Sequence, residues 1–181
     1  MHQRRPTFWG ITLKTIVAHT VTYAAVGLFA YTVFDYTARF AAPALSSFMR
    51  QTDHPLVTAG PLFQPIRGFL FGIVFYLLRG ILFRARDGWL RMWVMLVFVG
   101  IFSTFGPAPG SIEGLIYTTL PIKGQLAGLS EVLVQSLLLS IVTCGWVTAR
   151  NQRWLNWVLG LLFFIVLLLP TLGLLVSTST L

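Results

Sequence analysis

Between Trp154 and Val176 the chain has no ionisable side chain, and its composition there is mostly leucine, valine, isoleucine and phenylalanine. A helix rises about 1.5 Å per residue, so a run of this length covers the roughly 30 Å hydrocarbon core of a bilayer. Four further segments share the pattern: Ile11 to Phe34, Pro61 to Phe83, Trp89 to Phe105, and Gln125 to Ala149. The expected fold is therefore an all-α integral membrane protein, a bundle of about five transmembrane helices, with four and six as the bounds. The third segment is short for a span.

Composition agrees, with 56% apolar and 10% charged residues against about 25% charged in soluble domains. No stretch between the spans is long enough for a separate catalytic domain, so residues 1–181 are expected to form one transmembrane domain. The formal charge of +8 would suit nucleic acid in a soluble protein. Here the basic residues lie between apolar runs and set topology instead. The expected partners are the lipid bilayer and other membrane subunits or a second copy of the chain, with no nucleic acid.

Lys and Arg also orient the bundle. Arg4, Arg5, Lys14, Arg79, Arg84, Arg86, Arg91, Arg150 and Arg153 fall on one side of a five-span bundle, and Arg39, Arg50, Arg67 and Lys123 on the other. Nine against four places the amino terminus in the cytoplasm, the uncharged Ser177 to Leu181 tail outside, and the protein in a bacterial inner membrane. A cleaved leader is disfavoured, because the first apolar run is too long and Ala-Pro-Ala, ending at Ala44, too distant.

Asp35, Asp53, Glu113 and Glu131 then belong to the outer half, and only Asp87 to the inner side. Glu131 is the one clearly intramembrane acid. A carboxylate at that depth must be neutral, paired or facing water, so it marks a candidate site. Gln135 shares its helical face, and Gly124 and Gly128 continue that face outward. On the second span Arg67 follows Gln64 and Pro65, while Gly68, Gly72 and Gly80 permit close helix packing. Arg67 and Glu131 have similar depth, and an ion pair between them is the main structural expectation. The second and fourth spans should accordingly face each other.

The third-to-fourth link has Pro107 and Pro109 between Gly106 and Gly110, which forbids continuous helix. Ser111 can then cap a short amphipathic turn ending before Pro121. That segment is either interfacial or re-entrant, and re-entry would bring Glu113 and Tyr117 to a site. Asp53 and His54, in the first-to-second link, would lie nearby as part of a lid. On the first span His19, Tyr23 and Gly27 share a track, on which a lone His more often packs than relays protons.

No cofactor or metal is expected. His54, Asp53, Glu113 and Glu131 lack ligand spacing, Cys144 stands alone, and Ser111 lacks a nucleophile elbow. Three functions fit, in this order. The first is a transport or ligand-binding subunit with an outward pocket of Arg67, Glu113, Glu131, Gln135, Asp53 and His54. The second is a non-catalytic scaffold or accessory subunit. The third is a membrane-embedded enzyme acting on a lipid or peptide, with Glu113 and Glu131 as acid and base.

Overall fold

The computed structural model describes residues 7–47, 49–149 and 153–179. Arg4, Arg5 and Arg150, counted above toward orientation, lie outside the described residues, as do Thr180 and Leu181 of the tail. Every element among the described residues is helical. In chain order they are α1 (Phe8–Val33), α2 (Tyr36–Ala41), α3 (Pro43–Ser46), α4 (Pro55–Thr58), a 3-10 turn (Gly60–Phe63), α5 (Gln64–Leu77), α6 (Arg79–Leu82), α7 (Gly88–Val97), a π-helical turn (Phe98–Phe102), α8 (Ile112–Tyr117), α9 (Ile122–Thr148) and α10 (Arg153–Ser179).

Four helical segments are long and apolar enough to cross a membrane: α1, the 3-10 turn with α5, α9 and α10. The segment expected as a third span falls short of that length. It runs Gly88–Phe102, about 22 Å of helix, because the chain widens into the π turn and then meets Gly106 and Pro107. The second span also stops early, at Leu77 rather than Phe83, and α6 resumes as a separate turn.

Helix α1 is the central element, packing against α5, α9 and α10. Its buried face is unusually polar: Thr12, Thr15, His19, Thr20 and Thr22 are buried beside Ile11, Ala18, Val26 and Ala30. Threonine suits this position because its hydroxyl can donate to a carbonyl one turn back. Thr15 does so to Ile11 (2.9 Å), Thr20 to Ile16 (2.9 Å) and Thr22 to Ala18 (2.8 Å). By contrast α10 buries little and exposes Trp157, Leu161, Phe164, Leu169 and Leu175. It has the plain apolar wall that its sequence suggests.

The glycines of α5 face α1 rather than α9. A Cβ at Gly68 would lie 2.7 Å from Ile16 Cα, and one at Gly72 would lie 2.9 Å from Thr12 Cα. Helices α5 and α9 therefore make no extended contact with one another; each packs on α1, and the two face each other only across a cavity. Glycine spacing identifies a close-packing face, and the nearest chain neighbour took it.

Contacts along α9 fix the direction of its neighbours. Lys14 Nζ donates to Trp146 O (2.8 Å) and His19 meets Gln135, so α1 runs antiparallel to α9. Cys144 meets Leu82 O, Trp93 Nε1 donates to Leu133 O (3.3 Å), and Gly110 meets Gln125. The chain from α6 through α7 to Gly110 thus follows α9 from one end to the other. We call the end holding Lys14, residues 79–91 and the last turn of α9 the basic end, and the opposite one the loop end.

At the loop end one side chain organises the third-to-fourth link. Ser111 caps α8 by accepting from Gly114 N (2.9 Å), as its position suggests. Buried Gln125 then accepts from Gly110 N (2.6 Å) and donates to Gly114 O (3.1 Å) and Thr118 Oγ1 (2.9 Å). Gln125→Leu should orphan the Gly110 N–H, at about 1–3 kcal/mol for a buried group left without a partner, whereas the Gly114 carbonyl keeps its bonds from Thr118. Hydrogen exchange should accordingly rise across residues 106–118 while α1 stays protected, and unchanged exchange there would refute the role.

Candidate functional site

A cavity of about 650 Å³ lies between α5, α7 with its π turn, the link at Thr104 to Pro109, and α9. That volume is within the range of small-molecule sites. Its existence follows from the packing: α7 packs on α9 and α5 on α1, while α5 and α7 make no extended contact with each other. The gap between them is a cleft. Its wall is mainly apolar, with Phe71, Leu96, Ile101, Val132 and Leu139, and its polar groups are Arg67, Glu131, Gln135, Thr104 and Ser136.

The π turn shapes one side. Ser103 N donates to Phe98 O (3.0 Å), five residues back, which widens the helix where Gly100 and Ile101 line the cleft. Wide turns of this kind occur often at functional sites. Gly100 has no neighbour within 4 Å of where a Cβ would stand, so its missing side chain leaves that wall open.

Arg67 and Glu131 line the same cleft, yet they form no ion pair. Among the described residues the ion pair is Asp87–Arg91 (2.9 Å), at the exposed basic end. Two features keep Arg67 and Glu131 apart. With Gly68 turned onto α1, the neighbouring Arg67 is directed off that interface, and its guanidinium lies over the Phe71 ring (5.8 Å to the centroid). The Glu131 carboxylate, meanwhile, accepts a hydrogen bond from the Tyr36 hydroxyl.

Tyr36 reaches Glu131 because the chain turns sharply at Asp35, whose backbone is left-handed (φ 43°). Aspartate tolerates that region better than most residues, and its side chain accepts from Ala38 N (3.3 Å) to start α2. One turn later Arg39 Nη2 donates to Gly124 O (2.9 Å). Desolvation there lowers the Arg39 pKa from its ordinary value, although arginine remains charged at neutral pH.

Behind the cleft a chain of hydrogen bonds joins three helices. Gln64 Nε2 donates to Gly60 O (3.1 Å), which leaves Gln64 Oε1 to face His19 Nε2 (3.2 Å). His19 Nε2 therefore carries a proton, and Nδ1 is free to accept from Gln135 Nε2 (3.2 Å). A neutral imidazole protonated at Nε2 satisfies both amides in this arrangement. His19 is fully buried, with Phe71 edge-on to its ring at 5.1 Å.

Of the residues singled out in the sequence, the cleft gathers Arg67, Glu131 and Gln135. The other three lie elsewhere. Glu113 is half-buried in the first turn of α8 and Asp53 is exposed. His54 Nδ1 accepts from Leu56 N (3.1 Å) as the cap of α4. From the links, Thr104, Ala108 and Pro109 line the cleft, while Tyr36 and Arg39 bond to α9. Sequence reasoning missed Tyr36; its spacing of three from Arg39, just after the first span, was the available signal.

What fold and site define is the build of a multi-pass membrane protein, all-helical among its described residues, with a mixed polar and apolar cleft in its apolar region. No known family, curated protein or solved structure matches the chain.

Proposed function

We propose that the chain is a small transport or ligand-binding membrane subunit, acting as a single transmembrane domain, whose cleft takes a small amphipathic solute bearing an anionic group. The observation that carries this is the content of the cleft. Arg67 has no acid partner among the described residues, and Glu131 and Gln135 share the cleft with apolar Phe71, Leu96 and Leu139. A cleft-lining guanidinium without a counterion suits a carboxylate or phosphate. The apolar wall suits the remainder of the solute.

In this reading the bundle crosses a bacterial inner membrane five times, with α7 and the following link as the third pass. Supporting it, the chain from Leu82 to Gly110 follows α9 end to end. The amino terminus is cytoplasmic and the cleft opens toward the outer half. Helix α8 lies in the interface, since Ile112, Leu115, Ile116 and Tyr117 are all exposed and need a lipid surface. A scaffold role is the second reading, favoured by the His19 chain, which ties α1, α5 and α9 together without needing any ligand. Pairing Glu113 with Glu131 as acid and base has less support, because Glu113 is not among the residues lining the cleft.

Two variants separate these. Arg67→Gln should fold normally, because Arg67 has no hydrogen-bond or ion-pair partner among the described residues and only lies over the Phe71 ring. Uptake or binding by reconstituted protein should nevertheless fall about tenfold or more, the equivalent of about 1.4 kcal/mol. In a scaffold the same variant would have no separable activity to lose. Glu131→Cys should react with a membrane-impermeant thiol reagent, and complete protection of that thiol in the folded protein would rule out a water-accessible cleft.

A further inference from the structure

A second cavity, of about 520 Å³, lies at the basic end between the α6–α7 link, the start of α7 and the last turns of α9. Its floor is apolar, with Leu82, Phe83, Ile141 and Cys144, and its rim carries Arg84, Arg86, Trp89 and Thr148. Charge in this rim is unbalanced. Asp87, the one acid in the link, is engaged by Arg91 at 2.9 Å, and that hydrogen bond holds its carboxyl below its ordinary pKa. Neither Arg84 nor Arg86 has a hydrogen bond, ion pair or aromatic ring partner among the described residues, and both are exposed. The cavity also remains unfilled on the α9 side, because Gly145 has nothing within 4 Å of where its Cβ would stand.

We propose that this cavity seats the headgroup of an anionic phospholipid from the adjoining leaflet, its phosphate on Arg84 and Arg86 and the start of its acyl chains over Phe83, Ile141 and Gly145. Guanidinium groups bind phosphate oxygens in a fork. Basic pockets between membrane helices on the positively charged side are suited to lipid phosphates, and indoles such as Trp89 prefer the same depth. A soluble phosphate would use the arginines but gain nothing from the apolar floor. The site is independent of the cleft, and requires only that the chain lies in a bilayer.

The test uses the full chain, purified with a mixture of phosphatidylglycerol and phosphatidylcholine, and native mass spectrometry of the lipids it retains. Phosphatidylglycerol should be retained in preference. Arg84→Gln with Arg86→Gln should reduce that preference about tenfold or more, as expected for two interfacial arginines. Arg50→Gln with Lys123→Gln, which removes the same charge from the loop end, should leave it unchanged. Gly145→Leu keeps both arginines and fills open space, so it should fold and yet lose retention. Equal losses in the two double variants, full retention by Gly145→Leu, or displacement of the lipid by millimolar inorganic phosphate would each overturn the site.

Discussion

Gly68→Leu is expected to abolish the folded bundle. A Cβ at that position would stand 2.7 Å from Ile16 Cα and 3.3 Å from Ile16 O. These are backbone atoms of the central helix, so relief cannot come from a rotamer change. Helix α1 would have to move, and it packs simultaneously against α5, α9 and α10. Overpacking by single methylenes typically costs about 1–3 kcal/mol, and leucine adds four carbons to a backbone contact. The expected loss, above about 3 kcal/mol, is a large share of the roughly 5–15 kcal/mol that stabilises ordinary folded proteins. Gly68→Ala should be intermediate. Gly27→Leu and Gly80→Leu should be tolerated, because nothing lies within 4 Å of either Cβ position. Thermal melting followed by size-exclusion fluorescence in detergent checks the series, and a Gly68→Leu protein that melts like the wild type would discard the close-packed seam.

This series also marks how far the sequence was informative. Spacing showed that Gly68 and Gly72 lie on one close-packing face, since helical periodicity is a property of the chain alone. It could not show which helix fills that face. The partner is α1, so α5 and α9 are left apart with a cleft between them. Arg67, Glu131 and Gln135 were legible as candidates because a charge or amide in an apolar run stands out. Their mutual arrangement was not: Tyr36 takes the Glu131 carboxylate through a turn at Asp35 whose left-handed backbone has no firm sequence signature. The length of the third apolar segment was partly legible, since Gly106 and Pro107 visibly limit it. The π turn that ends α7, however, depends on packing beside the cleft.

The second large effect is expected at His19, where the sequence alone favoured a packing role. His19→Leu fits the available volume but removes both hydrogen bonds made by the imidazole, leaving Gln64 Oε1 and Gln135 Nε2 without partners. In a bilayer interior water cannot replace those bonds cheaply. Interhelical hydrogen bonds in membranes contribute about 0.6–1.7 kcal/mol, and an orphaned buried polar group costs about 1–3 kcal/mol. Two such groups predict a loss of about 2–6 kcal/mol. The same account makes a claim about coupling. Once His19 is gone, Gln135→Leu removes one of the two orphans, so His19→Leu with Gln135→Leu should be no less stable than His19→Leu alone. Gln135→Leu by itself should still be destabilising, because it leaves His19 Nδ1 unpaired. If the losses in the single variants simply add in the double, measured as unfolding midpoints in mixed micelles, the three residues do not act as one chain. A His19→Leu protein as stable as the wild type would remove the chain from the fold altogether. If the coupling holds, the Gln135 amide in the cleft is oriented from behind by a neutral imidazole on α1, and its free oxygen is what a bound solute would meet.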